Sequence, residues 1–326
     1  MSKMKHISKA FKDRLIRSLS LGSNYAVMVN PVKWRAYIGT GFTAYYQDNN
    51  VGSYKSLTDT VSSYSPVYQV KDCPIINFDE NLKSIEKVVF PIPTNTEYSP
   101  ASSIHILACI DNSNGTEKYE VWQSLSIQNE TTGPEVTIPI VQGEPFVFSV
   151  GSFSGVPHMN YTPGSLGFTD TLLNRLVKSL IPKTYSSYAA LPRPLSYKLC
   201  LFTSDSGLSA GDPLHEVQNY GYKRSHIQLE YYLRGADGNG YAEPVLSNAS
   251  HVYINHTDNL DTAETNILVT HISIAAEIST GVYEHWFYMK HITQNTNINY
   301  FILNHKQNYI IEPNTLQIRI PNLLYY

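Results

Sequence analysis

The chain has 326 residues, more than one domain usually contains, so two domains are the natural expectation. Charged residues make up only 16% of it, while tyrosine alone occurs 25 times, and this balance favours strands and turns over long surface helices. The formal net charge of -3 lacks the basic excess that nucleic-acid binding usually shows. We therefore expect protein partners and no nucleic acid.

The three cysteines, Cys73, Cys109 and Cys200, are odd in number and widely spaced. They form neither a disulfide framework nor a CxxC metal pair, which indicates assembly in a reducing cytoplasm. No apolar run approaches the roughly 20 residues that span a bilayer, so we expect neither secretion nor membrane insertion.

The start of the chain carries a local positive charge, because six basic residues are opposed there only by Asp13. We expect this stretch to be a solvated helix face or a docking arm, and contact with phosphate or anionic lipid is the alternative. The six residues are Lys3, Lys5, Lys9, Lys12, Arg14 and Arg17.

An internal repeat is the main feature of the sequence. Three short segments recur in the same order at slowly growing spacings, as two copies with small loop insertions would give. Residues 14–19 (RLIRSL) return as 175–180 (RLVKSL), 119–122 (YEVW) as 283–286 (YEHW), and 144–145 (EP) as 312–313 (EP). Two further parallels support the repeat and join 88–95 with 252–259, and 105–106 with 271–272.

The repeat predicts two domains, at residues 1–155 and 156–326. The boundary falls in the stretch 151–157, whose glycine, serine and proline residues are typical of a linker.

Each copy is predicted to open with a short helix whose apolar stripe docks on its own sheet. In the second copy Thr169 or Asp170 can cap the first turn, and Pro182 ends the helix. In the first copy Gly22 supplies the stop. The stripes are Phe168, Leu172, Leu173, Leu176, Val177 and Leu180 in the second copy, and Phe11, Leu15, Ile16 and Leu19 in the first.

After each helix the apolar pattern changes to a period of two, which predicts half-buried antiparallel strands. Residues 197–202, 271–278 and 316–320 show it most clearly, and glycine turns such as 237–240 and 280–281 separate the strands. The pattern predicts a mainly β protein of two tandem homologous β-sandwich domains, each with a short N-terminal α-helix. Six residues are expected in the core: Trp122, Trp286, Leu15, Leu19, Leu176 and Leu180.

The second copy resembles a family of small tailed-bacteriophage virion proteins that usually carry the label tail-fibre or tail protein. The resemblance covers roughly residues 166–321 and lies in the order and spacing of four segments. These are the helix 172–180, the strand and turn 197–207 (YKLCLFTSDSG), the pair 216–217 followed by 221–224 (GYKR), and the strand-turn-strand 270–286.

The first copy, within residues 1–160, departs from this pattern. The segment 37–41 (YIGTG) replaces the acidic turn, and a stretch rich in serine, tyrosine and asparagine at 48–65 replaces the GYKR segment. The resemblance implies a non-catalytic structural role in the virion, with assembly in the host bacterial cytoplasm.

The sequence offers little for catalysis or ligand binding, so we expect no enzyme, no cofactor and no metal site. The histidines are scattered over different strands, and no HExxH, GxSxG or P-loop pattern occurs. Cys200 lies among apolar neighbours, where a small buried hydrophobe is the expected role. The matched acids Glu120 and Glu284 indicate a shared structural need, although a glycosidase that pairs distant carboxylates is an alternative.

The function expected is an oligomeric neck, collar or tail adaptor that joins neighbouring virion proteins and anchors fibres. Portal or neck, tail and fibre components, with further copies of the chain in a ring, are the expected partners. A receptor- or glycan-binding tail protein and a capsid decoration protein are the alternatives. Residues 1–20 and 48–65 are expected at subunit contacts, and tyrosine clusters favour protein over sugar. The candidate contact residues are Lys5, Lys9, Tyr54, Tyr64, Tyr325 and Tyr326.

Overall fold

The computed structural model describes residues 3–39, 73–92, 103–113, 115, 117–127, 139, 141–150, 153, 167–217, 222–234, 243–254, 267–290, 301–303, 309–320 and 323–324. Over these residues the protein is mainly β, with its strands paired antiparallel in several sheets and two α-helices packed on them. The prediction of a mainly β, antiparallel protein is confirmed.

The described strands of the first half precede residue 155. They are β1 (Lys3–Ile7), β2 (Trp34–Gly39), β3 (Ile75–Ile76), β4 (Val88–Phe90), β5 (Ser103–Asp111), β6 (Lys118–Ile127) and β7 (Phe146–Phe148).

The described strands of the second half follow residue 156. They are β8 (Gly167–Phe168), β9 (Ser196–Phe202), β10 (Ser225–Ile227), β11 (Leu229–Arg234), β12 (Glu243–Asn248), β13 (Val252–Ile254), β14 (Ile267–Val269), β15 (His271–Ser279), β16 (Val282–Lys290), β17 (Phe301–Leu303), β18 (Tyr309–Ile311), β19 (Gln317–Ile318) and β20 (Leu323–Leu324).

Helix α1 spans Lys9–Leu19 and helix α2 spans Asp170–Leu180, and the same kind of cap begins both. The hydroxyl of Ser8 accepts a hydrogen bond from the backbone N–H of Phe11, and Thr169 does the same for Leu172. Of the two caps predicted for α2, Thr169 is therefore the one used.

The two helices end in extended backbone. Ile181 caps α2 just before Pro182, as predicted. The predicted stop at Gly22 is wrong, because α1 already ends at the extended residue Ser20. The backbone N–H and the hydroxyl of Ser20 both donate to the carbonyl of Arg17, which satisfies a free carbonyl of the last turn.

A short strand that the sequence did not reveal precedes each helix. Strand β1 pairs with β6, and β8 pairs with β16. The first residues of the chain were expected to form a solvated helix face or a docking arm. Residues 3–7 instead form a sheet strand, which also pairs with β20 near the end of the chain.

The main sheets of the two halves have the same strand order. The first runs β1-β6-β5-β2-β3 and the second runs β8-β16-β15-β9-β10, with β20 added at the outer edge of the first. Each half also has a two-stranded ribbon whose strands hold corresponding positions along the chain, β4 with β7 in the first and β13 with β18 in the second. The smaller sheets β11-β12-β19 and β14-β17 belong to the second half alone among the described residues.

A β-bulge lies at the same place in both main sheets and presents a tryptophan to the core. Pairing shifts between Ile106/Leu107 opposite Trp122, and between Ile274/Ala275 opposite Trp286. A bulge adds one residue to one strand and bends it, so that two consecutive side chains face the same way. The alternation of apolar and polar residues in the sequence cannot reveal where such a bulge lies.

The register corrects two of the sequence parallels. Counted from the bulges, Ile106 holds the position in the first half that Ile274 holds in the second. The position equivalent to His105 is therefore Ser273 and not His271. The parallel between 144–145 and 312–313 is also wrong, because the first pair precedes ribbon strand β7 whereas the second follows β18. Two-residue matches carry too little information to fix a register.

The inner faces of the two halves share one continuous apolar core, which includes Phe11, Trp34 and Trp122 from the first half and Tyr197 and Trp286 from the second. Helix α1 lies between its own strand β6 and strand β12 of the second half. The domain boundaries at 155 and 156 stay a prediction. Within the expected linker the structure describes Phe153, which is buried in the core.

Two of the six basic residues at the start of the chain, Lys12 and Arg14, pair with distant acids, contrary to the expected solvated face. Lys12 is buried and lies 3.8 Å from the carboxylate of Glu243, and burial lowers its pKa to about 8 against the opposing effect of Glu243. Arg14 pairs with Glu120 from strand β6. Local charge counting missed both acids because they are far away in sequence.

Strands β9 and β15 are buried on both faces over much of their length, so the expectation of half-buried strands is wrong there. The segment 203–217 crosses the outer face and packs Leu208 against Phe202 and Ala275. Gly207 has a φ of 74°, and a side chain there would meet the carbonyl oxygen of Asp212 at 1.9 Å, so this segment requires glycine.

No helix in the described part of the chain is both long enough and apolar enough to cross a bilayer.

Candidate functional site

An Arg–Glu–Trp group joins helix to sheet in each half. Arg14 on α1 donates to both carboxylate oxygens of Glu120, over 2.7 Å from Nε and 2.6 Å from Nη2. Trp122 Nε1, two residues along β6, donates to the same carboxylate over 3.1 Å. The bidentate geometry fixes both the distance and the orientation of the helix on the strand.

The second half repeats this group. Arg175 on α2 donates to both oxygens of Glu284, with 2.5 Å from its Nε, and Trp286 Nε1 donates over 3.2 Å. Burial raises the pKa of Glu284, but the hydrogen bonds from Arg175 and Trp286 and the charge of Arg175 outweigh it, so the pKa lies below its usual range. The carboxylate is therefore held ionised as a structural acceptor.

The expected core residues lie inside the protein. Trp122 and Trp286 are fully buried, and so are the helix residues Leu15, Leu19 and Leu180, while Leu176 is 1% exposed. Trp122 packs against the rings of Phe11 and Trp34, with centroids 5.0 and 5.3 Å apart.

The candidate subunit contacts fall mostly outside the described residues. Tyr54, Tyr64, Tyr325 and Tyr326 lie outside them, as does all of the segment 48–65. The backbone of Lys5 belongs to β1 and that of Lys9 begins α1. These positions stay predictions of subunit contact.

Three cross-strand pairs on the ribbons present apolar side chains outward. Each pair is directly opposed in register, and each of its members is exposed over at least about two fifths of its surface. Two of the pairs occupy matching places in the two halves. The pairs are Val89 with Val147 in the first half, and Tyr253 with Ile310 and Leu268 with Ile302 in the second.

Paired exposed apolar side chains are the kind of surface that proteins use for contact with other proteins. Sequence reasoning missed these pairs because it treated alternate residues of each strand as solvent-facing and polar. The signal present in the sequence is that the ribbon strands are apolar at every position, as in VVF at 88–90 and FVF at 146–148.

The outer face of the second sheet gathers a group of possible metal ligands. Cys200 on β9, Glu216 in the segment 203–217 and His285 on β16 each offer one ligand atom, and these atoms lie within 4.8 Å of one another. Among the residues that the structure describes, this is the one such group. Cys200 and His285 are buried and Glu216 is half-buried.

Two further residues orient these ligands. Arg224 donates from Nε and Nη2 to the two oxygens of Glu216, each over 2.7 Å. Ser273 Oγ lies 2.9 Å from His285 Nδ1 and donates its own proton to the carbonyl of Phe287 over 2.8 Å. Since that hydroxyl has one proton, it must accept from His285, which places the imidazole proton on Nδ1 and the lone pair on Nε2.

Burial sets the protonation of this group in the absence of a cation. It raises the pKa of the Cys200 thiol to about 12, with a further rise from the charge of Glu216. It lowers the pKa of His285 to about 4, with a further fall from the charge of Arg224. The thiol and the imidazole are therefore both neutral at pH 7.

The described residues of the first half contain no equivalent group. Tyr37 stands at the register position of Cys200 and Val121 at that of His285, as the pairing on either side of the bulges shows. The outer face there holds a cluster of Tyr37, Cys73, Leu107, Cys109, Tyr119 and Val121. Sequence reasoning placed Cys200 correctly in an apolar strand, but it could not bring together residues 200, 216 and 285.

A scan against protein-family models finds no match to this chain, and searches of curated proteins and of solved structures find no similar protein.

Proposed function

We propose that the protein is a structural component of a tailed-phage virion, an oligomeric neck, collar or tail adaptor that joins neighbouring virion proteins. Support comes from the resemblance of residues 166–321 to tail-fibre and tail proteins. The observation that carries the proposal is the outward apolar pairs on matching ribbons of the two halves. An adaptor needs two such surfaces, one for each neighbour.

We also infer that the two halves are diverged copies of one helix-plus-β-sandwich unit. The support is the shared strand order, the shared bulge at Trp122 and Trp286, and the two Arg–Glu–Trp groups. A feature as local as a bulge that presents a tryptophan beside an Arg–Glu pair is improbable twice by chance.

The halves have diverged where partners would differ. The first has small valines at its outward ribbon pair, whereas the second has the larger Tyr253 and Ile310 and an additional ribbon. Surfaces of different shape suit two different neighbours, such as a second copy of the chain and a fibre or portal component. Tyrosine adds apolar area with a polar tip, which is favourable at an interface.

The test replaces each outward pair by serine in the phage and measures how much of the protein the purified particles contain. We expect Val89→Ser with Val147→Ser, and Tyr253→Ser with Ile310→Ser, each to lower incorporation, with little effect on the stability of the isolated chain because the side chains are exposed. Val282→Ser is the control, since Val282 is 48% exposed but lies outside the ribbons.

A separate deletion of residues 48–65 tests the segment predicted to contact a neighbour. Deletion of residues 1–20 is not informative, because it removes β1 and α1 from the fold. Normal incorporation of all three altered proteins, together with binding or degradation of host glycan by the isolated chain, would replace the adaptor by the receptor-binding alternative. Location on the capsid surface in a density map of the particle would favour the decoration role.

A further inference from the structure

We propose that Cys200, Glu216 and His285 form a binding site for a zinc ion on the outer face of the second sheet. Metal binding there is independent of the proposed assembly role. The three side chains come from different parts of the chain, and their ligand atoms lie within 4.8 Å of one another. Small adjustments of side chains bring such a set to the distances of about 2.0–2.3 Å that zinc prefers.

The histidine is prepared as a ligand. Ser273 accepts the Nδ1 proton of His285, so the lone pair that can bind a metal is on Nε2. Metal-binding histidines usually donate the other ring N–H to a nearby acceptor, which fixes the tautomer and the ring orientation. Ser273 is itself held by the carbonyl of Phe287, so the orientation is fixed on strands β15 and β16.

The carboxylate is also fixed while keeping capacity for a cation. Arg224 uses one lone pair on each oxygen of Glu216, and a carboxylate offers about four such positions. A thiolate and a carboxylate together carry two negative charges, against one positive charge on Arg224. A divalent ion is therefore not opposed by the net charge of the group.

The segment that carries Glu216 is anchored on both sides. The backbone N–H of Val217 donates to the carbonyl of Leu201 over 2.9 Å, and that of Thr203 donates to the backbone carbonyl of His215 over 3.1 Å. At its far turn, Thr171 on α2 donates to the carbonyl of Ala210 over 2.9 Å. The metal would tie this segment to strands β9 and β16 across the sheet.

The ligand chemistry selects the class of metal. Thiolate with imidazole favours zinc among the common divalent ions, whereas magnesium and calcium prefer oxygen ligands alone. Binding replaces the weak 3.7 Å contact from Cys200 Sγ to the carbonyl of Lys198. The Cys200 thiol loses its proton to solvent as the sulfur–metal bond forms, so one proton is released per ion bound. Three protein ligands leave the fourth tetrahedral position to an external donor.

The experiment titrates the metal-free full-length chain with Co²⁺ as a spectroscopic probe, and then with Zn²⁺ in competition. We expect one ion per chain, a thiolate-to-cobalt charge-transfer band, the visible bands of tetrahedral Co²⁺, and loss of all of them when Zn²⁺ is added. Cys200→Ser should abolish the charge-transfer band. Ser273→Ala should weaken binding by about 10- to 100-fold while the band remains.

Cys109→Ser is the matched control, because Cys109 is also a buried strand cysteine near a glutamate, Glu117, on the outer face of the other sheet. Its band should equal that of the unaltered chain. Glu216→Gln keeps a hydrogen-bond acceptor for Arg224 and gives a second readout if Cys200→Ser does not fold; it should weaken binding at least about 10-fold. Absence of the band in the unaltered chain, its persistence in Cys200→Ser, or its loss in Cys109→Ser would each overturn the proposal.

Discussion

Replacement of Trp122 by alanine should destabilise the protein more than the same change at Trp286, although the two occupy matching bulges. Both side chains are fully buried. A tryptophan buries roughly 200 Å² of surface, and at about 25 cal/mol per Å² its removal costs about 5 kcal/mol, near the upper end of the range for such changes.

The difference between the two sites comes from their neighbours. Trp122 packs against the rings of Phe11 and Trp34, with centroids 5.0 and 5.3 Å away, whereas Trp286 packs against the ring of Tyr197, whose centroid is 6.2 Å away. Close aromatic pairs contribute about 0.5–1.5 kcal/mol each beyond burial. We therefore expect the free energy of unfolding to fall by about 4–5 kcal/mol for Trp122→Ala and about 3–4 kcal/mol for Trp286→Ala.

Urea denaturation followed by circular dichroism at 25 °C measures these values. Trp122→Phe is the control, because it keeps most of the ring but removes the 3.1 Å hydrogen bond from Nε1 to Glu120; it should cost about 1–2 kcal/mol. If Trp122→Phe proved as damaging as Trp122→Ala, the hydrogen bond and not the packing would dominate. A loss below 1 kcal/mol in both alanine variants would refute the argument from burial.

A double-mutant cycle with Arg14→Met and Glu120→Gln should give a coupling free energy of about 1–2 kcal/mol in urea unfolding, because the pair is bidentate but only partly buried; additive losses would contradict this. Burial lowers the pKa of His105 in the folded protein to about 3, whereas its ordinary pKa is 6.5. Between these two pH values the unfolded state binds more protons, so the free energy of unfolding should fall as the pH drops from 6.5 toward 3. His105→Gln should lessen that fall by up to about 1.4 kcal/mol per pH unit, whereas an unchanged slope would show that His105 is not buried neutral. Finally, residues 160–326 expressed alone should lack a cooperative unfolding transition, since removal of α1 uncovers β12; a sharp transition would support independent domains.

The sequence was sufficient for features that repeat within a few residues. The helix stripes, the cap at Thr169 and the positions of the strands are local patterns, and the structure contains them. Phe168, which was predicted in the stripe of α2, lies instead in strand β8, and the burial of β9 does not alternate. The match between 119–122 and 283–286 also found the two strands that carry the bulges, because four residues with a tryptophan are a distinctive signal.

Features that depend on distant residues could not be predicted in this way. The acids that neutralise Lys12 and Arg14 lie more than one hundred residues away along the chain. Cys200 and His285 are also far apart along the chain, and their proximity depends on the register of three strands and a bulge. The outward apolar pairs on the ribbons were not predicted either, since a run of apolar residues does not say which face of a strand is covered.

The shared core fixes the two halves relative to each other. Helix α1 contacts strands of both halves, and several polar contacts join the halves. Among them, the hydroxyl of Tyr197 donates to the carbonyl of Leu19 over 2.6 Å, that of Tyr231 donates to Asp13 over 2.7 Å, and Asn30 donates to the carbonyl of Ser179 over 2.8 Å. Buried hydrogen bonds of this kind fix orientation, because breaking one leaves a polar group without a partner in an apolar site. Two outward apolar surfaces on halves joined in this way keep a set geometry, and an adaptor that positions one neighbour relative to another requires that property.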